Sequence, residues 1–186
     1  MIKRLFDVLI ALFALLLLAP VMLVIAWQIS RKLGSPVLFR QTRPGKDGKP
    51  FEMIKFRTMR DAVDVNGNPL PDAERMTPFG SFLRSTSLDE LPELWNVLKG
   101  EMSFIGPRPE RPVFVDEFKK QIPGYEYRHW LQTGITGLAQ IEGKYSTPPE
   151  DKLRFDLLYA KTVSPLQDIQ ILLHTLKVML MKDKTS

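Results

Sequence analysis

Two adjacent carboxylates, Asp89 and Glu90, stand in the run Arg84-Ser-Thr-Ser-Leu-Asp-Glu-Leu-Pro-Glu-Leu-Trp-Asn96, with basic residues grouped on either side. Upstream lie Arg40, Arg43, Lys46, Lys49, Lys55 and Arg57; Arg84 is close by, and Arg108 and Arg111 follow. A carboxylate pair can divide its work between nucleophile or metal ligand and proton acceptor. Cations around such a pair fit phosphoryl transfer served by a divalent ion. The same residues admit a purely structural reading. Ser87 and Glu90 have capping-box spacing, acidic side chains are favoured in a first helical turn, and Arg and Lys around carboxylates can form a salt-bridge network without catalysis. Pro92 complicates the helix start. It falls just past the first turn if Ser87 is the cap, and at the third helical residue if Asp89 is. In both cases the carboxylates sit where backbone N–H groups converge, a place that also suits phosphate. Arg108 stands apart because Pro107 and Pro109 restrict its backbone, lowering the entropy lost when its guanidinium clamps an oxyanion. Lys55 and Arg57 share side-chain parity on a strand-like run, so both are expected to face one site.

Composition removes other chemistries. The 186 residues include no cysteine, which excludes a disulfide scaffold, a cysteine-based zinc site and a thiol nucleophile. The two histidines, His129 and His174, give no metal-ligand spacing. Lys+Arg number 26 against 21 Asp+Glu, and the net charge of +5 suits an anionic partner without choosing among nucleic acid, acidic lipid and phosphorylated substrate. A nucleic-acid partner is not expected, because no basic stripe interleaved with aromatics and no reading motif is present.

The hydrophobic residues are segregated. From Leu5 to Ile29 the only charge is Asp7, while Lys3, Arg4, Arg31 and Lys32 flank the run. At ~1.5 Å per residue this stretch is long enough for the ~30 Å hydrocarbon core. It exceeds the apolar core of a signal peptide and lacks a small-x-small cleavage site. Pro20 interrupts it, unable to donate to the Leu16 carbonyl and crowding it. Basic flanks at both ends give no preferred orientation. A re-entrant hairpin, bent at Pro20 with both ends in the cytosol, is therefore expected over a straight span. The expected division is 1–32 as a re-entrant membrane helix-break-helix and 33–186 as a cytosolic catalytic domain.

Beyond the membrane segment the pattern predicts an α+β domain, small and irregular, with short strands. Val37–Arg40 and Phe51–Phe56, separated by Arg43-Pro-Gly-Lys-Asp-Gly-Lys-Pro50, read as a hairpin. Residues 61–78 are polar and proline-rich and read as an exposed, mobile loop. Leu91, Leu94, Trp95 and Leu98 recur at helical spacing before Gly100. Helices are also predicted over Pro112–Gln121, over Glu150–Lys161 with Leu153, Leu157 and Leu158 on one side, and from Ser164-Pro165 to about Met181. That last helix, with Ile169, Leu173, Leu176, Lys177 and Lys182, reads either as a core helix or as one lying at a bilayer surface with its apolar side down.

The pieces Arg43-Pro-Gly, Lys55-Phe-Arg-Thr-Met59, Ser87-Leu-Asp-Glu-Leu-Pro92, Asn96-Val-Leu-Lys-Gly100, Met102-Ser-Phe-Ile-Gly-Pro-Arg-Pro109 and Gly134-Ile-Thr-Gly-Leu-Ala-Gln140, in this order, resemble the bacterial sugar transferase family, the monotopic phosphoglycosyl transferases. The resemblance covers nearly the whole chain. Gly143-Lys-Tyr-Ser and Glu150-Asp-Lys-Leu-Arg-Phe-Asp156 are similar to its exopolysaccharide-initiating branch. It implies transfer of a sugar 1-phosphate from a UDP-sugar to a polyprenyl phosphate, usually undecaprenyl phosphate, with release of UMP. Such a step opens the membrane assembly of exopolysaccharide, O-antigen, capsule or glycoprotein glycans. Asp89 falls on the nucleophile that forms an aspartyl phosphosugar, and Glu90 on the residue that assists the acceptor phosphate or helps hold Mg²⁺. Lys55, Arg84 and Arg108 fall on phosphate-binding positions. Arg57, Arg111, Asp156 and Asp168 are candidates for site support without a firm role. Pro20, with Ala19 before it, falls on the re-entrant bend, and the implied location is the cytoplasmic face of a bacterial plasma membrane.

Three positions depart from the family pattern. Ala19 stands where serine is frequent, Gln132-Thr133 where a basic residue and proline are frequent, and Leu138 where tryptophan is frequent. The sugar, the glycan pathway and self-association stay open, and a non-catalytic basic adaptor at the membrane surface is the alternative reading.

Overall fold

The computed structural model describes residues 2–143 and 146–180. The expected signature residues Lys144 and Tyr145, and the expected end of the last helix at Met181 and Lys182, lie outside the described residues. The apolar N-terminal run forms one helix, α1 (Ile2–Lys32), long and apolar enough to cross a membrane. It runs through Pro20 without an intervening loop, so the expected helix-break-helix is a single helix with a proline inside it. Proline removes one donor and crowds one carbonyl, which bends a helix more readily than it ends one.

Both ends of α1 dock on the rest of the chain. Near the start, Lys3 Nζ pairs with Asp168 Oδ2 at 2.7 Å and Arg4 Nη2 donates to the Leu98 carbonyl at 2.8 Å. Buried Asp7 accepts from Ser103 Oγ at 3.0 Å and Phe104 N at 3.1 Å, and Ala11 packs with Val97 and Met102. Near the end, Ile25 and Ile29, with Leu33 just beyond, pack against Phe56 and Leu83. Between these contacts Leu12, Phe13, Leu16, Leu17, Val21 and Leu23 are exposed. Few polar surfaces would tolerate so long an apolar stripe in water.

Strands β1 (Leu38–Pro44) and β2 (Pro50–Phe56) form the expected hairpin, with Leu38 opposite Phe56 and Pro44 opposite Pro50. Residues 61–78 contain more order than a bare loop. Isolated bridges pair Met59 with Met76 and Val63 with Pro69, Asp64 Oδ1 accepts from Asn66 N and Asn68 N, and α2 (Asp72–Arg75) adds one turn. Next comes α3 (Pro78–Ser85), capped by Thr77 Oγ1 accepting from Gly80 N, and α4 (Glu93–Lys99), closed by left-handed Gly100. A second sheet pairs β3 (Ser103–Ile105) in parallel with β4 (Gly134–Thr136); α5 (Pro112–Gln121) lies between them in sequence. The chain continues through α6 (Leu138–Glu142), α7 (Pro149–Thr162) and α8 (Pro165–Leu180), whose start is capped by Ser164 Oγ accepting from Gln167 N.

Helical faces match expectation in part. On α7, Leu153 is buried and Leu157 packs beside it, but Leu158 is exposed. On α8, Ile171 enters a core with Ile105, Ile141 and Tyr159. Leu166, Ile169, Leu173 and Leu176 remain exposed, so α8 combines a core contact with an outward apolar face.

The glycines of the Gly106 and Gly134-Ile-Thr-Gly137 pieces have a packing reason. A Cβ on Gly134 would stand 2.2 Å from the Gly106 nitrogen and 2.5 Å from the Thr136 oxygen. Those neighbours are backbone and cannot swing away. Replacing Gly134 by alanine should therefore destabilise the chain by roughly 1–3 kcal/mol, as overpacking does. Thermal unfolding of the detergent-solubilised protein checks this, and an unchanged melting temperature would refute it.

Candidate active site

The segment carrying the carboxylates adopts neither of the helix starts read from the sequence. Ser87 is left-handed (φ 55°) and makes no side-chain cap, so the capping box is absent. A 3₁₀ turn follows over Leu88–Glu90, and Pro92 occupies the cap position of α4, where its missing N–H is harmless. Leu88 and Leu91 anchor this turn on the cluster containing Ile25, Ile29 and Phe56. Asp89 is thereby buried, at 8% exposure, directly beside the mostly buried Glu90.

Lys55 reaches the turn from β2, and Asn96 sets its register. This fully buried asparagine accepts from Ile54 N at 3.1 Å and donates to Glu52 O at 2.7 Å, so a side chain takes up the strand's free edge. Lys55 Nζ then lies 2.6 Å from Glu90 Oε1 and 3.0 Å from Glu93 Oε1. Arg108, from the Pro-Arg-Pro segment after β3, donates to the same Glu90 Oε1. Arg84, on α3, donates through Nε to Thr58 Oγ1 at 3.0 Å, and its charge acts on Asp89.

The two neighbouring carboxylates are thus shifted in opposite directions. Burial would raise Glu90, but Arg108 and Lys55 outweigh it and hold it at about 2. A carboxylate so acidic is a weak proton acceptor; its geometry is that of an organiser for two cations. Asp89 makes no ion pair among the described residues, and burial followed by the Glu90 charge pushes it above the ordinary carboxylate value, against Lys55 and Arg84. Its oxygens are committed to no cation. Glu93, 2% exposed, is driven by burial up to about 7 against the pull of Lys55, with Glu90 adding to the rise.

Lys55, Arg84, Asp89, Glu90 and Arg108 therefore come together, while the four support candidates do not reach the carboxylates. Arg57 donates to the Leu33 and Ser35 carbonyls and pairs with Asp61. The strand ends at Phe56, so the parity shared with Lys55 does not carry across. Arg111 lies over the Phe114 ring, 4.2 Å from its centroid. Asp168 joins α8 to Lys3 of α1 and accepts from Tyr159 Oη at 2.6 Å. Asp156, raised by burial to about 6, faces buried Arg128 at 2.8 Å. Arg128 Nη2 in turn donates to the Arg108 carbonyl at 3.0 Å, so this pair braces the Arg108 backbone from behind. Gln132, at one departure from the family pattern, donates to the Gly100 carbonyl at 3.0 Å, and Leu138, at another, packs beside Ile105 and Ile141.

Sequence reading missed Glu93, Asn96 and Arg128 as contributors. Glu93 lies four residues from Asp89 at the head of a helix, the one local signal available; the other two act across long chain separations.

Among the described residues no group of three or more His, Cys, Asp or Glu side chains is placed to hold a metal ion. A magnesium ion needs fewer protein ligands, since it usually binds one or two carboxylates plus substrate phosphates. Asp89, and the Glu90 Oε2 not used by Lys55 or Arg108, fit that partial set.

The sequence profile of the bacterial sugar transferase family matches residues 1–182. The chain is 42% identical over 181 residues to "Uncharacterized sugar transferase EpsL" of Bacillus subtilis (strain 168), covering 97% of this chain and 88% of that protein. It is 42% identical over 182 residues to the UDP-glucose:undecaprenyl-phosphate glucose-1-phosphate transferase of Klebsiella pneumoniae, covering 93% of this chain and 39% of that one. A UDP-N-acetylgalactosamine-undecaprenyl-phosphate N-acetylgalactosaminephosphotransferase of Aeromonas hydrophila is 40% identical over 184 residues, covering 96% and 44%. The chain spans about two fifths of the length of these last two relatives.

The raised Glu93 makes a prediction with a definite sign. A carboxyl whose folded pKa exceeds its unfolded value stabilises the fold at low pH, and that contribution is lost as pH rises through about 7. Glu93→Gln removes the titration. The unfolding free energy of the variant relative to the parent should therefore increase between pH 5 and pH 8, by on the order of 1–3 kcal/mol. Denaturant titrations at the two pH values measure it, and a parallel pH dependence would refute the placement.

Proposed function

This chain belongs to the bacterial sugar transferase family, and from that premise we propose that it transfers a sugar 1-phosphate from a UDP-sugar to polyprenyl phosphate at a membrane surface, releasing UMP. The observation that carries the reading is the asymmetry of the carboxylate pair. Lys55 and Arg108 both engage Glu90 through its Oε1, while Asp89 beside it is buried and makes no ion pair among the described residues. A nucleophile must keep an uncommitted oxygen, and cations must stand where phosphate charge will develop.

In the first step an Asp89 oxygen attacks the sugar-bearing phosphorus. The bond from that phosphorus to the bridging oxygen breaks, and the oxygen departs with UMP. An aspartyl phosphosugar remains. In the second step an oxygen of the polyprenyl phosphate attacks the same phosphorus, the acyl–phosphate bond breaks, and Asp89 regains its carboxylate. Lys55, Arg84 and Arg108 neutralise phosphate charge in both steps, and Glu90 orients Lys55 and Arg108. Asp89 and Glu90 would hold Mg²⁺, which supplies further charge neutralisation on the phosphates when bound.

The acceptor cannot leave the bilayer and the nucleotide sugar cannot enter it, so the site belongs at the headgroup plane. Docking of both ends of α1 on one domain, with the stretch between them apolar and exposed, supports a re-entrant passage bent at Pro20 rather than a span. The exposed apolar residues of α8 support its lying at the same surface. In this reading 1–32 lie in the membrane and 33–186 on the cytoplasmic side of a bacterial plasma membrane.

Incubated with its UDP-sugar and no lipid acceptor, the protein should gain the mass of one sugar phosphate and release one equivalent of UMP. Asp89→Asn should do neither, with its melting curve retained; near-normal UMP release by the variant would remove Asp89 from the role. A screen of UDP-glucose, UDP-galactose and N-acetylated UDP-sugars with undecaprenyl phosphate, with and without a chelator, should find a substrate and lose most turnover on magnesium removal. No UMP from any donor would leave the non-catalytic surface adaptor. Chemical labelling from the cytoplasmic side should reach both the N-terminus and Lys32, and protection of one end alone would exclude the re-entrant passage.

A further inference from the structure

A pocket of about 30 Å³ lies beside the carboxylate cluster, lined by Arg43, Met53, Lys55, Glu93, Arg108 and Pro109. At ~10–15 Å³ for each oxygen-sized occupant, it has room for two or three such atoms. Three of its six lining residues are cations, and their charges are differently employed. Lys55 is shared between Glu90 and Glu93, and Arg108 is paired with Glu90. Arg43 makes no ion pair among the described residues.

The Arg43 guanidinium is nonetheless well placed. Its residue sits opposite Phe51 in the hairpin, and the turn that follows is closed by Gly45 N donating to Lys49 O at 2.8 Å. Nη2 donates to the neutral Gln41 Oε1 at 2.7 Å. Nε is buried and has no acceptor. Burial works against the charged form, Glu110 nearby offsets this, and the like charges of Arg108 and Arg111 oppose it further. A buried donor left without an acceptor, on a charged group, is a costly arrangement for a resting fold. It is the arrangement a site takes when the acceptor arrives with the ligand.

We infer that Arg43 is a further phosphate-binding residue, whose half-buried guanidinium receives a non-bridging phosphate oxygen of a substrate in the pocket between Lys55 and Arg108. The inference rests on the phosphoryl-transfer reading for its ligand class. Two substrates carry that chemistry: the diphosphate of the nucleotide sugar and the phosphate of the lipid acceptor. A planar guanidinium grips such an oxygen through directed N–H donors, which a lysine in its place would not reproduce.

The test is calorimetric titration of the full chain in nanodiscs, as parent, Arg43→Gln and Arg43→Lys, with inorganic pyrophosphate, UDP, farnesyl phosphate and uridine. The expected result is about 10- to 100-fold weaker binding of at least one phosphate ligand by Arg43→Gln. Arg43→Lys should fall between, with uridine unaffected. Loss confined to pyrophosphate and UDP assigns the oxygen to the nucleotide sugar, and loss confined to farnesyl phosphate assigns it to the lipid. Parental affinity for all the phosphates in Arg43→Gln overturns the inference, as does a parent chain that binds none of them. If Arg43→Gln melts below the assay temperature, Arg43→Lys decides, and parental affinity there overturns the inference equally. Binding needs no turnover, so a parent chain that released no UMP from any donor would defeat the proposed reaction and still leave Arg43 to be judged here.

Discussion

Three carboxylates, Asp89, Glu90 and Glu93, are crowded into one mostly buried patch, and no fold tolerates that without cations supplied at close range. Most of the local architecture follows from this demand. The hairpin brings Lys55, the Pro-Arg-Pro segment brings Arg108 and α3 brings Arg84, each from a different part of the chain. Two cations converge on one Glu90 oxygen, and Asp89 makes no ion pair among the described residues.

The supports behind these cations are built with equal economy. Asn96 replaces a missing strand at the edge of β2, pinning the residues before and beside Lys55. The Asp156–Arg128 pair holds the Arg108 carbonyl, so a fully buried ion pair fixes the backbone of a half-exposed arginine. Gly106, Gly134 and Gly137 allow backbone segments to approach where any Cβ would collide with backbone atoms. That close approach fixes the start of the Pro-Arg-Pro segment, with Gly134 N donating to the Pro107 carbonyl at 3.0 Å. None of these groups pairs with Asp89, yet each constrains a residue that acts on Asp89 or on its neighbour Glu90.

The apolar helix is tied into the same frame. Its N-terminal contacts reach α4, β3 and α8, and its C-terminal contacts reach the cluster on which Leu88 and Leu91 anchor the carboxylate turn. Asp7, the one charge within the apolar run, is explained by this: it is a docking residue, held by Ser103 and Phe104. The apolar helix and the carboxylate turn thus share one hydrophobic core.

Much was legible in the chain alone. Period-two and helical patterns with Gly and Pro punctuation located the hairpin, α5, α7, α8 and the long apolar helix, because these signals act between residues close in sequence. Lys55, Arg84 and Arg108 were singled out together beside Asp89 and Glu90 only through the family resemblance, since the residue types alone fit a structural salt-bridge network equally. Other assignments needed the third dimension. The parity linking Lys55 with Arg57 failed where the strand stopped. The capping spacing of Ser87 and Glu90 failed because the chain turned left-handed at Ser87. Asp156 and Asp168 were visible as acids, but their partners, Arg128 and Lys3, are 28 and 165 residues away. The sequence by itself determined which segments are apolar, where they turn and which charges are available. Only the tertiary structure decided which cation meets which carboxylate, and so which acid stays free, because pairing is set by burial and distance rather than by order along the chain.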